Sequence, residues 1–464
     1  MDPQIAAVMF ACGILGLFVL DRDSKAQTSK ALWIPVMWLS ISSSRMVSQW
    51  LGGSIVESAD QLVEGNPLDA RVYAALLAAG LIVLLTRRSR VKAFLQANWP
   101  ILIFLAYCAL SVWWSDYPLV AFKRWTKALG DLAMILIVLT DDEPVAALKR
   151  VLARSGFVLM PLSILFIKYY PALARAYSPW NGTAYNTGVA TGKNGLGVIC
   201  LVFGLASVWR LLEAVRNEEG TRRVRSIIVH GTVIAQALWL FHMADSATSL
   251  ACFLIGSILI AVTSLRTFMQ RPAVVHLLVA GMLLVVVYGT LLNPSAGLTD
   301  MVGRDSTLTG RTALWDELVP LAVNPWTGAG YGSFWLGERL EAIWRINWWH
   351  PLQAHNGYIE IFLDLGWVGL ALLGLVMACG YRNVFRLLGG DSETVNLRLA
   401  YLVVAAAFNL TEFAFKEIHP IWIVFLLAVI AVPEVSVPPG LDGAREVHEP
   451  QERPEPDVVE VLPV

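Results

Sequence analysis

Residues 355–379 read HNGYIEIFLDLGWVGLALLGLVMAC, a polar start followed by a long apolar run. The run is long enough to cross the hydrocarbon core of a bilayer as a helix, which takes about 20 residues. Runs of this kind recur along the 464-residue chain, of which 56% is hydrophobic. The sequence therefore predicts an all-α, polytopic integral membrane protein.

The apolar runs predict about 12–13 transmembrane helices. Their spans are 3–20, 31–48, 71–86, 99–114, 128–142, 153–168, 195–213, 227–244, 248–265, 273–293, 357–379, 397–414 and 418–433. The first span has no basic residue ahead of it and no small-residue cleavage site behind it, so we expect a spanning helix and not a removable signal peptide.

Four regions follow from these spans. Transmembrane helices 1–10 occupy residues 1–293, a large loop occupies 294–356, and the C-terminal transmembrane helices occupy 357–434. The remaining residues, 435–464, are rich in Pro and Glu and predict a disordered cytoplasmic tail. Helical patterns that begin at Arg311 and Glu338 predict a small folded cap within the loop.

Orientation follows from the preference of Lys and Arg for cytoplasmic loops. Basic clusters such as Arg87 to Lys92 and Arg222 to Arg225 follow odd-numbered helices, which places the N-terminus outside and the C-terminus inside. The loop 294–356 then lies on the outer, periplasmic face. The cluster of Lys123, Arg124 and Lys127 is an exception, because it falls on the outer side.

Overall composition excludes one class of partner. The formal net charge of -1 argues against a nucleic-acid partner, which requires a basic surface. The five cysteines all lie inside apolar runs, without the spacing of a metal site or of a disulfide framework.

His355 is the candidate general base. A neutral imidazole near pH 7 can accept a proton from a hydroxyl group. Asn356 is the expected N-cap of the following helix. In an unbroken helix Gly366, eleven residues after His355, would lie on nearly the same face about 16 Å away and would permit close packing. The alternative is an interfacial histidine without chemistry.

Glu360 and Asp364 are four residues apart and share one helix face. Ionisable groups inside a membrane span often mark function. Alternatively, the two carboxylates order the outer loop by binding its arginines. The sequence does not choose between these readings, and neither requires a metal.

Four cations are candidates for binding a phosphate group on the outer side. Lys193 lies in TGVATGKNGLG, which lacks the spacing of a nucleotide-binding P-loop but places backbone N–H groups at a helix N-terminus. Arg304 and Arg311 lie in the outer loop, and Arg124 lies in another outer segment. The planar guanidinium group of arginine can donate two parallel hydrogen bonds to phosphate oxygens. For Lys193 the alternative is a glycine-rich turn with an interfacial lysine.

The succession of GRTALW, NPWTGAGYGSFW and HNGYIEIFLDLGWVGLALL resembles the O-antigen ligase and polymerase superfamily. Upstream, ATGKNGLG and DSATSL are similar to its exopolysaccharide-polymerase branch. Ligases of the family carry a leucine four residues after an arginine, whereas Trp315 occupies that position after Arg311.

This resemblance implies an activity, a site and a location. The activity is that of an inverting, metal-independent membrane glycosyltransferase of GT-C-like architecture, without a cofactor. Its donor is an undecaprenyl-pyrophosphate-linked oligosaccharide, its acceptor is a glycan, and a chain-length regulator is a further protein partner. His355 is implied as the base and Arg304 or Arg311 as the pyrophosphate ligand. The location is the bacterial inner membrane, in contact with membrane lipid, with the active site facing the periplasm.

Three alternatives stay open. The protein is a glycosyltransferase, a transporter of lipid-linked glycan, or a non-catalytic scaffold of an assembly complex. As a glycosyltransferase it is a polymerase, a ligase that transfers glycan to lipid A core, or an oligosaccharyltransferase that transfers glycan to a protein. A transporter predicts ionisable groups near the bilayer midplane and interrupted helices. The sequence instead concentrates its ionisable groups at the outer ends of the spans, which favours the enzyme.

Overall fold

The computed structural model describes residues 1–23, 26–53, 63, 65–178, 182–265, 271–288, 307–388 and 393–432. These residues are almost entirely helical, apart from 3₁₀ turns and one antiparallel hairpin in which β1 (Arg175–Tyr177) pairs with β2 (Ala184–Asn186). The prediction of an all-α membrane protein is confirmed. Arg304 and the tail 435–464 lie outside the described residues.

The helices follow one another in this order along the described chain. They are α1 (Pro3–Leu20), α2 (Trp33–Ser42), α3 (Val47–Trp50), α4 (Pro67–Thr86), α5 (Arg88–Ala97), α6 (Trp99–Leu110), α7 (Pro118–Leu139), α8 (Pro144–Tyr169), α9 (Pro171–Ala174), α10 (Lys193–Asn217), α11 (Gly220–Ala244), α12 (Ala247–Thr263), α13 (Pro272–Val287), α14 (Thr307–Leu318), α15 (Gly337–Ile346), α16 (Gly357–Arg386), α17 (Val395–Phe408) and α18 (Pro420–Val429).

Proline starts many of these helices. Its fixed φ suits the first turn, and its missing N–H costs nothing there because that group has no partner within the helix. Prolines at the first helical position include Pro3, Pro67, Pro118, Pro144, Pro272 and Pro420.

Six described helices are long and apolar enough to cross a membrane by themselves: α1, α4, α8, α10, α11 and α16. Helices α5 and α6, which meet at a sharp bend, would together make a seventh span. Five further apolar helices in the described chain are shorter. The protein is therefore a multi-pass membrane protein, and the count of 12–13 spans stays a prediction.

The bundle is built around α10. Almost three quarters of the residues in the apolar part of α10 are buried, whereas only about a tenth are buried in the apolar part of α1. Helices α8, α11 and α12 pack around α10, while α17 packs between α12 and α18. α10 therefore joins the outer site, described below, to the opposite end of the bundle.

Helix α16 is interrupted at Gly366, which has φ 65° and ψ -166°. Extended backbone from the outer loop fills the break: Ala329 N donates to Leu363 O at 3.0 Å, and Trp367 N donates to Pro325 O at 2.9 Å. A Cβ atom on Gly366 would lie 2.2 Å from the carbonyl carbon of Trp326. The segments NPWTGAGYGSFW and HNGYIEIFLDLG thus form one structural unit.

Two sequence predictions need correction here. The predicted close packing at Gly366 is present. The regular helix that would place Gly366 on the same face as His355 is absent, because the backbone of residues 325–330 forms the hydrogen bonds at the break. The predicted span 397–414 is also too long. Helix α17 ends at Phe408, since Asn409 caps the following turn by accepting from Ala414 N and Phe415 N.

The outer loop contains the helices that its patterns predict, α14 and α15. They share a small hydrophobic cluster that includes Leu314, Phe334, Leu340 and, on α16, Leu363. This part of the loop is consequently packed against the outer half of α16.

Candidate active site

The HNG segment docks on the turn that follows α17. Asn356 is the N-cap of α16, as predicted, because its Oδ1 accepts from Tyr358 N at 3.0 Å and from Ile359 N at 3.1 Å. Its Nδ2 donates to Leu410 O at 3.1 Å, and Gly357 N donates to Asn409 O at 2.8 Å. These bonds fix His355 beside the turn 409–412.

His355 has a left-handed backbone, with φ 53°. This conformation costs an ordinary residue about 1–2 kcal/mol, so its neighbours must hold it in place. Ala354 N donates to the Glu360 carboxylate, and Trp315 Nε1 donates to Ala354 O at 2.7 Å. Trp315, where the family's ligases have leucine, therefore supports the backbone that presents the histidine.

Glu412 connects the candidate base to a candidate cation. Its Oε2 lies 3.4 Å from His355 Nδ1, while its Oε1 accepts from Arg311 Nη2 at 3.2 Å and from Asn194 Nδ2 at 2.9 Å. Arg311 also donates to Thr411 O. Three segments that are far apart in sequence thus meet at one carboxylate whose side chain is only 8% exposed.

Electrostatics keep Glu412 ionised. Burial alone would raise the pKa of its carboxyl group, but the hydrogen bond with His355 and the Arg311 charge outweigh burial and hold the pKa below its usual value. A carboxylate at this position can accept from Nδ1–H, which would leave the lone pair of His355 on Nε2; the amide nitrogen of Gln353 also lies 3.3 Å from Nδ1. The hydrogen-bond contacts of the imidazole within the part of the chain that the structure describes are made by Nδ1. His355 can therefore act as a base through Nε2.

Lys193 and Asn194 open α10 beside this cluster. Asn194 contacts Glu412 directly, and its Oδ1 accepts from Ser246 Oγ at 3.4 Å. Lys193 Nζ lies 3.8 Å from the Asp245 carboxylate. The segments TGKNGLG and DSATSL accordingly meet at the N-terminal end of α10, next to Arg311.

Glu360 and Asp364 anchor the outer loop. Glu360 accepts from Trp335 Nε1 at 2.8 Å, and Asp364 accepts from Ser333 N at 3.1 Å and from Phe334 N at 3.0 Å. Both carboxylates are buried. The structure therefore favours the anchoring alternative, although through backbone amides and a tryptophan and not through arginines.

Arg124 is placed apart from the other cations. It donates to Gly332 O, in the segment that fills the break of α16. Arg124 therefore also holds the outer loop. Glu412 forms an ion pair with Arg311, and Lys416 of the same turn interacts with Glu412 electrostatically.

Sequence reasoning missed Glu412 because the prediction placed it inside a span. It also missed Lys416, which is half-buried in the same turn, over the ring of Phe413 at 5.0 Å. Burial lowers the pKa of Lys416, and the nearby Glu417 and Glu360 oppose this effect. The signal in the sequence was the density of charge in TEFAFKEIH, which is improbable within a helix surrounded by lipid.

Comparison with known proteins finds a matching family model and similar proteins. Residues 232–374 match the family model described as O-Antigen ligase, a range that contains Arg304, Arg311 and His355. The chain is 26% identical to "Exopolysaccharide production protein ExoQ" of Rhizobium meliloti (strain 1021), over 78% of this chain and 85% of that protein.

Two rickettsial proteins are also similar. "Putative polysaccharide ligase" of Rickettsia bellii (strain RML369-C) is 22% identical over 43% of this chain and 51% of its own length. "Putative polysaccharide ligase RP358" of Rickettsia prowazekii (strain Madrid E) is 19% identical over 72% of this chain and 81% of its own length. The resemblance seen in the motifs is thereby confirmed: the chain is a multi-pass membrane protein in which residues 232–374 match the O-Antigen ligase model, and it is similar to ExoQ.

Proposed function

We propose that this protein is a membrane glycosyltransferase that polymerises undecaprenyl-pyrophosphate-linked glycan units at the periplasmic face of the bacterial inner membrane. The observation that carries the proposal is the cluster of His355, Glu412 and Arg311, in which one buried carboxylate contacts both a base and a cation. Transfer from a pyrophosphate donor to a sugar hydroxyl requires both of these groups.

His355 is the base. Its Nε2 takes the proton of the acceptor hydroxyl as the hydroxyl oxygen forms a bond to the anomeric carbon of the donor. The bond between that carbon and the pyrophosphate oxygen breaks in the same step. A single displacement inverts the anomeric configuration and releases undecaprenyl pyrophosphate.

Cationic side chains stabilise the leaving group. Arg311, beside the base, meets the negative charge that grows on the pyrophosphate, and Lys193 at the N-terminus of α10 adds a second cation. We assign Arg304 to the same role from its place in the sequence. Arg124 contributes by holding the loop. In this mechanism side chains neutralise the charge of the leaving group, and no metal takes part.

The polymerase assignment rests on the similarity to ExoQ, whose name states exopolysaccharide production and whose alignment covers 78% of this chain. The ligase alternative, with lipid A core as the acceptor, is supported by the rickettsial relatives and by the description of the matched family. A chain-length regulator would be a partner of the polymerase alone.

One observation supports a transporter of lipid-linked glycan. Helix α16 is interrupted nine residues after its first residue, which is about 14 Å along the helix, and interrupted helices are typical of transporters. The break is filled by the protein's own backbone, however, so it does not expose free carbonyl groups to a substrate.

A reconstituted assay separates these functions. Purified protein is incubated with a lipid-linked repeat unit, with or without lipid A core, and the products are separated by size. Growth of the glycan without added acceptor supports the polymerase, and transfer only to lipid A core supports the ligase. If wild-type protein forms neither product, the glycosyltransferase proposal is wrong.

A matched pair of histidine variants tests the base. His355→Gln should lower the rate by about a hundredfold or more, the usual contribution of a general base. His350→Gln removes an exposed histidine of the same loop, which stacks on Trp344, and should retain most of the activity. Equal rates for the two variants would rule out His355 as the base.

A further inference from the structure

A polar cavity lies at the end of the bundle opposite His355. It has a volume of about 430 Å³ and is lined by Phe18, Arg22, Arg150, Arg154 and Phe157. A neighbouring cavity of about 420 Å³ shares Arg150 with it and extends to Arg210 on α10. We call the first of these cavities the inner pocket.

The inner pocket is remote from His355. Asn194, which contacts Glu412, and Arg210, beside the pocket, are 16 residues apart on α10 and thus about 24 Å apart along the helix. By the distribution of Lys and Arg this end of the bundle is the cytoplasmic one. The pocket is therefore separate from the proposed active site.

Arg154 is the residue that points to a ligand. Its Nη1 is buried in the described structure without a hydrogen-bond partner. Its guanidinium lies over the ring of Trp33, 4.4 Å from the centroid, and has no carboxylate within ion-pair distance among the described residues. A half-buried guanidinium charge without a partner is costly, and an anion in the pocket that Arg154 lines would neutralise it.

Arg150 adds a second positive charge that no described carboxylate neutralises. Its guanidinium donates to the backbone carbonyls of Asp23, at 3.1 Å, and Ala26, at 2.7 Å, and to the hydroxyl of Thr28. These partners fix the position of the guanidinium but carry no charge. Arg22, at the mouth of the pocket, is exposed.

The two aspartates that also line the pocket have other partners. Asp23 forms an ion pair with Arg222 at 2.9 Å. Asp21 lies 3.4 Å from His230 and 3.9 Å from Arg210. The charge that faces the pocket is accordingly positive.

One side of the inner pocket is apolar and continues toward lipid. Phe18 and Phe157 pack edge to face with ring centroids 5.8 Å apart. Next to Phe18 on α1, Leu15 and Val19 are exposed by 64% and 66%. An acyl chain could follow this exposed face of α1 while a phosphate remains between the arginines.

From this arrangement we infer that the inner pocket binds the phosphate headgroup of an anionic phospholipid from the cytoplasmic leaflet. Basic pockets between transmembrane helices on the cytoplasmic side are suited to such headgroups. The guanidinium of Arg154 supplies the fork for the phosphate oxygens, Arg150 supplies a fixed second charge, and α1 supplies the surface for the acyl chain.

The test is a thermal-shift titration of the full-length protein in detergent. Short-chain phosphatidylglycerol should stabilise the wild-type protein with an affinity at least about tenfold higher than that of phosphatidylcholine of the same chain length. Arg154→Gln should lower the affinity for phosphatidylglycerol about tenfold or more, as expected when one charged hydrogen-bonding group is lost. Arg154→Lys keeps the charge without the fork and should weaken binding less.

Arg88→Gln is the matched control, because Arg88 is an exposed arginine at the start of α5 and does not line the pocket. It should bind phosphatidylglycerol like the wild-type protein. Equal affinities of the wild-type protein for the two lipids, or equal losses in R154Q and R88Q, would overturn the inference. Binding of glycerol 3-phosphate as tight as that of phosphatidylglycerol would also overturn it, because the ligand would then be a soluble phosphate ester. The titration requires no substrate, so its result is independent of the proposed glycosyl transfer.

Discussion

Among single residues, Glu412 has the central position, because it contacts both the base, His355, and the cation, Arg311. A glutamine at this position would keep an oxygen for Arg311 and Asn194, but its amide nitrogen would face His355 Nδ1 and donate to it. The imidazole proton would then reside on Nε2, the atom that must accept the substrate proton. We therefore expect Glu412→Gln to lower the turnover number about a hundredfold or more, as measured with the lipid-linked repeat unit.

Glu338→Gln provides the same chemical change on the exposed face of α15 and should leave the turnover number unchanged. A Glu412→Gln variant with the turnover number of the wild-type protein would show that Glu412 does not set the tautomer of His355.

The lowered pKa of Glu412 also predicts a dependence of stability on pH. The folded state holds this pKa below the ordinary glutamate value of 4.5. The stabilisation is thus complete above pH 4.5 and is lost as the pH falls through the lowered value, with about 1.4 kcal/mol for each unit of lowering. Melting temperatures of the wild-type protein and of Glu412→Gln should therefore converge as the pH falls below 4.5. A difference that stays constant from pH 6 to pH 3 would contradict this.

Among the described helices, α16 is distinguished by its break, which is possible because Gly366 has no side chain. Alanine at this position would place a Cβ atom 2.2 Å from the Trp326 carbonyl carbon and would have to adopt φ 65°. We expect Gly366→Ala to destabilise the protein by about 3 kcal/mol or more, which thermal unfolding in detergent would detect. Gly374→Ala is the control in the same helix, because a Cβ atom there meets nothing within 4 Å. Similar melting temperatures for the two variants would refute the proposed strain.

The apolar runs predicted the all-α membrane class correctly, because the length needed to cross a bilayer is a strong constraint. The chain from Pro3 to Leu20 forms α1 without any shift of the predicted bounds. The breaks and ends of the helices depend on tertiary contacts, which the periodicity of apolar residues does not predict. The interruption at Gly366 depends on a segment about 40 residues earlier in the chain, and the end of α17 depends on the side-chain cap of Asn409.

The candidate site was predictable only in part. His355 and Arg311 carry motif signals and do lie together. Their common partner, Glu412, lies 57 residues after His355 and was hidden within an apolar context. Hydropathy assigns such a residue to a span, whereas the folded chain places it in a polar turn.

At the scale of the whole molecule, the two sites lie at opposite ends of α10, so both proposals require a defined orientation in the membrane. Exposed positions at the two ends allow a test by labelling cysteines with a maleimide that does not cross membranes. Among the native cysteines, Cys12 is exposed, on the predicted lipid-facing α1, and Cys12→Ser gives a background for the measurement. In that background, Glu338→Cys on α15 should react in intact spheroplasts, whereas Arg88→Cys on α5 should react only in inverted vesicles or after lysis. The reverse pattern would place His355 on the cytoplasmic side, where the proposed periplasmic transfer could not occur, and would place the inner pocket in the opposite leaflet.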